Sequence, residues 1–166
     1  MSQAIIYKET TDFIKVNFKE VKTIDAWRNQ FDNVKDEDAF SMPAVFIRME
    51  PSNFIDMGGS SGIQKYDMLL TLMIGFEHYK GTDYGKALEL KQRLFKKYHR
   101  FEPNTINTVG RFLRNGEEQE VEYDNVLIFG QSYLCQNCFD YDADTKPIIP
   151  VTLNQIITPT VVTVIT

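Results

Sequence analysis

The sequence predicts an α+β fold: a mixed or antiparallel sheet of about four to five strands packed by two helices, followed by an extended C-terminal arm. Three observations predict it. Between 84 and 99 apolar residues return at steps of three and four, the period of a helix. Between 43 and 50, Val45, Ile47 and Met49 alternate with Ala44, Phe46 and Arg48, and between 64 and 78, Tyr66, Met68, Leu70, Leu72, Ile74 and Phe76 share one face, both at the two-residue period of a strand. The final segment, 147 to 166, is β-branched but broken by Pro147, Pro150 and Pro159, which suits an arm better than a core element. At 166 residues the chain suits one core, so the expected organisation is a domain over 1–140 and an arm over 141–166.

The elements follow in order. Ala4 to Phe18 carries Ile6, Phe13, Ile14 and Phe18 as an approximate helical stripe, with Thr10 and Thr11 as β-branched interruptions. Val21 to Arg28 is rich in β-branched and aromatic residues and reads as a short strand. Asp32 to Ser41 is a polar surface loop. Pro43 to Glu50 reads as a strand that starts at Pro43 and is ended by Pro51. Met57 to Gly62 is a flexible glycine-rich tip flanked by Phe54 and Ile55. Gln64 to His78 is the strongest strand. Leu69, Thr71 and Met73 make its second face apolar or neutral, which predicts a central position covered on both sides. Thr82 or Asp83 caps the helix that follows, and Pro103 stops it. Thr105 to Arg114 and Val121 to Phe139 read as a hairpin turning at Asn115-Gly116.

Composition narrows the function classes. With 43% hydrophobic and 25% charged residues and a net charge of -5, neither intrinsic disorder nor a pervasive nucleic-acid footprint is expected. Two cysteines are too few for a disulfide scaffold, and Met1-Ser2-Gln3 lacks the basic-then-apolar pattern of a secretory signal. A soluble protein of a reducing cytoplasm is the expectation, with no membrane partner.

Cys135 and Cys138 form a C-x-x-C, the spacing of a redox pair or of half a zinc site. On a strand the two side chains should point to opposite faces, and completing a tetrahedral site would need His78 and His99, so two small core residues are the plainer reading. The loop Gly58-Gly59-Ser60-Ser61-Gly62 lacks both the P-loop ending and a following helix, which argues against phosphate binding. Neither a metal nor an organic cofactor is expected. No paired carboxylates flank a histidine at helical spacing, and no nucleophile elbow is present, so the chain is expected not to be an enzyme.

Interaction surfaces are more legible. Lys86, Lys91, Arg93, Lys96, Lys97 and Arg100 face Glu89 alone on one helix, a local charge of +5. Such a face suits an electrostatic protein contact or plain solvation better than sequence-specific nucleic-acid binding. Glu117, Glu118, Glu120, Glu122 and Asp124 supply the complementary -5, and a ring of identical subunits could join the two surfaces. In the arm, Val151, Leu153, Ile156, Ile157, Val161, Val162, Val164 and Ile165 are costly to leave in water, so a sheet edge, in the same subunit or a neighbour, is expected to cover them. The expected contact residues are Phe54, Ile55, Met57 and Ile63 at the glycine tip, Lys96, Lys97 and Arg100 on the helix, Glu118 and Glu120 on the acidic run, and Ile156, Val161 and Val164 in the arm.

A helix, then Lys22-Thr23-Ile24-Asp25-Ala26-Trp27-Arg28-Asn29-Gln30-Phe31, an acidic loop into Met42-Pro43-Ala44-Val45-Phe46-Ile47, a glycine-tipped loop, a long strand, one amphipathic helix and a closing hairpin succeed one another. That succession resembles the tail terminator (tail completion) proteins of long-tailed bacteriophages over about residues 3 to 140, by order and spacing more than by any signature. The resemblance implies an α+β subunit in a homo-oligomeric, hexameric ring that caps the tail tube, with the tail tube protein and neck or connector proteins as partners. It implies a virion protein of the tail-neck junction, assembled in the host cytoplasm. The Phe54 to Ile63 loop corresponds to the family's long inter-strand hairpin, which contacts adjacent subunits or the tube. The arm from Pro147 is a departure, since the family domain ends near its last strand; this leaves other head-tail joining (neck) proteins as an alternative. A small thiol or metal enzyme using Cys135 and Cys138 is the alternative of a different class. The family transfers no catalytic residue.

Overall fold

A computed structural model describes residues 2–33, 40–57, 62–77, 84–103, 109–123 and 126–141. The element order is α1 (Ser2–Asn17), β1 (Thr23–Ala26), a 3-10 turn (Gln30–Asn33), β2 (Ala44–Asp56), β3 (Ile63–Glu77), α2 (Tyr84–Tyr98), β4 (Leu113–Tyr123) and β5 (Val126–Tyr141). The five strands form one sheet in the order β1-β2-β3-β5-β4, with β1 parallel to β2 and the other neighbours antiparallel. This is the expected α+β class, with β3 at the centre. The expected arm lies outside the described residues.

Both helices lie on one face of the sheet. Ile6, Ile14 and Phe18 from α1 and its end, and Ala87, Leu90, Leu94 and Tyr98 from α2, pack with Val45, Ile47, Met68, Leu70, Leu72, Ile74, Leu127 and Phe129. Each set is one stripe at helical or two-residue period, so each element has one apolar side to hide. Burying a Leu or Ile side chain completely is worth roughly 1.5–3 kcal/mol. Between the helices, the Thr10 hydroxyl and the Tyr98 phenol share a buried hydrogen bond of 2.8 Å. Tyr98 packs in turn against Phe101, tilted, and against Phe13 and Tyr133, edge-on, with ring centroids 4.9, 5.4 and 4.8 Å away.

Among the described residues, the opposite face is covered at one end only. Phe31, on the 3-10 turn, packs with Ala44, Phe46, Met73, Val126 and Ile128 beneath Trp27, Phe40 and Met42. Gly75 makes the plug possible: a Cβ there would lie 2.4 Å from the Phe31 ring. Moving along the sheet, the next row is Arg48, Thr71, Ser132 and Gly116, and the row beyond is Glu50, Leu69, Leu134 and Leu113.

Three boundaries differ from the sequence expectation. Pro51 does not end its strand, because β2 runs on to Asp56, with Pro51 opposite Met68. Its β1 partner reaches only Ile47, and the Pro43 and Ile47 carbonyls point toward the β1 side. By the alternation of a strand, the missing N–H of Pro51 points to that same vacant side and removes no bond to β3. Asn115-Gly116 is not the hairpin turn: it sits inside β4 at a register shift between Arg114 and Gly116, and β4 continues to Tyr123. A bulge in an edge strand uses the same turn-prone residues as a hairpin loop. Finally, α2 ends before Pro103, because Arg100 takes φ 69° and its N–H donates to the Phe112 carbonyl at 2.8 Å, a left-handed helix stop.

Candidate assembly surfaces and a buried dithiol

Beyond Ile47, no strand among the described residues pairs with the outer side of β2, so Arg48 to Asp56 forms an open sheet edge. The far end of that edge carries Phe54, Ile55 and Met57, which are 56%, 52% and 53% exposed. Phe54 stacks on Tyr66 at 5.4 Å, so its ring is held in place by the strand beside it. Ile63 is half-buried, and its carbonyl accepts the Met57 N–H at 3.0 Å, closing the ends of the hairpin. The structure therefore brings the four expected contact residues to one end of the sheet, with Phe54 on the face of Tyr66 and Ile55, opposite Lys65, on the other. β5 ends at the same end of the sheet, with Tyr141 opposite Ile63 on the side of β3 away from β2.

The basic helix and the acidic strand meet inside one subunit. Lys91 Nζ lies 3.1 Å from Glu117 Oε2, Arg114 pairs with the same carboxylate, and Arg48 pairs with Glu118 across the other face. Arg93 reaches Glu20 at 2.6 Å, and Lys97 donates to Asn17 Oδ1 at 3.0 Å. Several of these cations also cover aromatic rings: Arg114 lies over Phe95 at 4.3 Å, Lys91 over Phe129 at 5.2 Å, and Arg93 and Lys97 over Phe18. Lys96 lines a groove of about 450 Å³ between α2 and β4, alongside Phe95, Arg114 and Glu117. Arg100 is exposed and serves the helix stop through its backbone. Thus Glu117 and Glu118, read from sequence as a complement for a neighbour, are engaged within their own chain. The side chain of Glu120 and the arm residues Ile156, Val161 and Val164 lie outside what is described.

The cysteine pair corrects the sequence expectation. Met68 is opposite Cys135 and Tyr66 opposite Cys138, so β5 spends three steps where β3 spends two. The extra residue is a β-bulge, with Asn137 at φ 69°. It turns both thiols onto the helix-covered face, where both are buried and their sulfurs are 3.5 Å apart. The Cys138 thiol donates to Cys135, which holds the Cys135 thiol below its ordinary range against the opposing effect of burial. Cys138 is pushed up, chiefly because it is that donor and also by burial. The run Cys-Gln-Asn-Cys held a signal for this: Asn is the residue, after Gly, that most readily takes the left-handed conformation.

His99 is engaged elsewhere: its Nδ1 accepts the Arg114 N–H at 3.2 Å. Among the described residues, no three His, Cys, Asp or Glu side chains gather to hold a metal. His78 and the glycines at 58 and 59 lie outside the described residues. No helix among the described residues is long and apolar enough to cross a membrane. Sequence reading missed Arg48, which crosses the Thr71–Ser132 row to reach Glu118, and Gly130, where a Cβ would lie 2.6 Å from Glu118 Cβ. Only the register reveals that these positions are neighbours. A scan against protein-family models and a search of curated proteins return no match for this chain.

Proposed function

We propose that the protein is a structural assembly protein of a long-tailed bacteriophage virion, a tail terminator that closes into a homo-oligomeric ring, caps the tail tube and joins it to the neck. The observation that carries this reading is the open β2 edge ending in Phe54, Ile55 and Met57. An unpaired edge with exposed apolar side chains is a docking template for an extended segment. The chain carries such a segment from Pro147, and β5 ends at the same end of the sheet, on the far side of β3 from that edge. In the proposed ring, the arm of one subunit lies along the β2 edge of the next, a heterologous contact that closes by rotation into a hexamer. The resemblance in element order supplies the terminator role; the edge and the arm support assembly as the protein's work. No catalytic step is assigned.

Removal of 147–166 tests this directly. The expected result is a folded monomer by circular dichroism, where the full chain gives a ring by mass measurement in solution. Ile55→Asp should weaken the ring in the full chain. A full chain that stays monomeric at high concentration, alone and with tube protein, would overturn the proposal. Co-assembly with purified tube protein supports the terminator role, whereas binding only to connector protein selects the neck alternative.

A further inference from the structure

We propose that Cys135 and Cys138 are a peroxide-oxidisable dithiol that closes into an intramolecular disulfide across the β5 bulge. The geometry carries it. The sulfurs already touch at 3.5 Å, with the Cys138 S–H directed at Cys135 Sγ. A disulfide needs them at about 2.05 Å, so each sulfur has under an ångström to move, within reach of side-chain rotation. An unbulged strand would hold the two side chains on opposite faces, and the bulge removes that obstacle.

Access suits a small oxidant. Both thiols are buried, and a Cβ at Gly110 would lie 3.5 Å from Cys135 Sγ, so backbone without a side chain covers the sulfur on that side. Gln136 and Asn137, the residues between the thiols, line an open groove of about 510 Å³. Neither sulfur lines that groove, so reaching the pair calls for a small oxidant such as a hydroperoxide, not a peptide-sized disulfide.

The chemistry closes. Cys135 reacts as the thiolate, its proton passing to solvent, because the Cys138 hydrogen bond stabilises that form. The thiolate attacks one peroxide oxygen, the O–O bond breaks, and a sulfenic acid forms as hydroxide leaves and takes up a proton to become water. Cys138 then attacks the Cys135 sulfur, losing its proton as the sulfenic hydroxyl departs as a second water. Two thiols are oxidised by two electrons, and one hydrogen peroxide is reduced to two waters.

Intact-mass analysis of the folded full-length protein treated with hydrogen peroxide provides the test. The expected product has lost two hydrogens, gained no oxygen, resists alkylation after unfolding and recovers both thiols with dithiothreitol. In Cys138→Ser, where the second step is blocked, Cys135 should accumulate as a sulfenic acid trapped by dimedone. Three results would overturn the inference: wild-type protein that keeps added oxygen on cysteine, a disulfide only between two chains, or two alkylatable thiols after peroxide exposure that oxidises the unfolded chain. The wild-type measurement stands alone if the serine variant fails to fold.

Discussion

The two faces of the sheet are built on different physics. Under the helices, Val45, Ile47, Leu70, Leu72, Ile74 and Phe129 form continuous hydrocarbon sealed by α1 and α2. The other face changes character three times along β2: an aromatic plug around Phe31 and Phe46, a polar band of Arg48, Thr71, Ser132 and Glu118, then the row of Leu69, Leu134 and the half-exposed Leu113. Burial on the first face supplies stability, while the second tolerates charge and exposed leucine because the fold does not depend on it throughout. The difference teaches that the core under the helices and the far end of the open face can be perturbed separately.

Five substitutions and one titration sharpen that contrast. The largest effect is expected from Leu94→Ala, which opens a cavity beneath the helices and should cost about 2–5 kcal/mol in chemical denaturation. Gly75→Ala drives a methyl into the Phe31 ring and should cost about 1–3 kcal/mol; Phe31→Leu in the same chain should recover part of it, which a double-mutant cycle measures. Tyr98→Phe deletes the Thr10 bond and should cost about 1 kcal/mol.

The same tyrosine sets an alkaline limit. Burial raises the pKa of Tyr98 and of Tyr133 in the folded protein, so their contribution is present below the unfolded value of about 10 and is lost as pH rises above it. Stability should fall above about pH 10 by up to about 1.4 kcal/mol per pH unit for each tyrosine, and Tyr98→Phe should reduce that slope. Leu113→Ser, on the open face, should leave stability within about 0.5 kcal/mol. A loss as large as that of Leu94→Ala would erase the distinction between the faces.

Much of the fold was legible because its signals are local. Periodicity over 84–98 and 63–77 reports which side of each element is buried, and the structure places α2 and the central β3 there. Asn115-Gly116 misled because a bulge and a turn ask the same of the backbone, and only the pairing partner tells them apart. The dithiol was misread for a related reason: strand alternation holds until one extra residue is inserted, and its partner strand reveals the insertion. Of the candidate contacts, Phe54, Ile55, Met57 and Ile63 could be grouped from sequence because a hairpin brings near neighbours together. The engagement of Glu117 by Lys91 and Arg114 could not, since three separate elements converge there.

Pro51 gives the vacant border of β2 a built-in limit. A visiting strand finds a donor at Met49, nothing at Pro51, and then the kinked backbone of Asn53 at φ 55°. A long ribbon laid along this border would forfeit its ladder at the second rung. The proline thus blunts the border, taking one donor out of any ladder that another copy's edge would need.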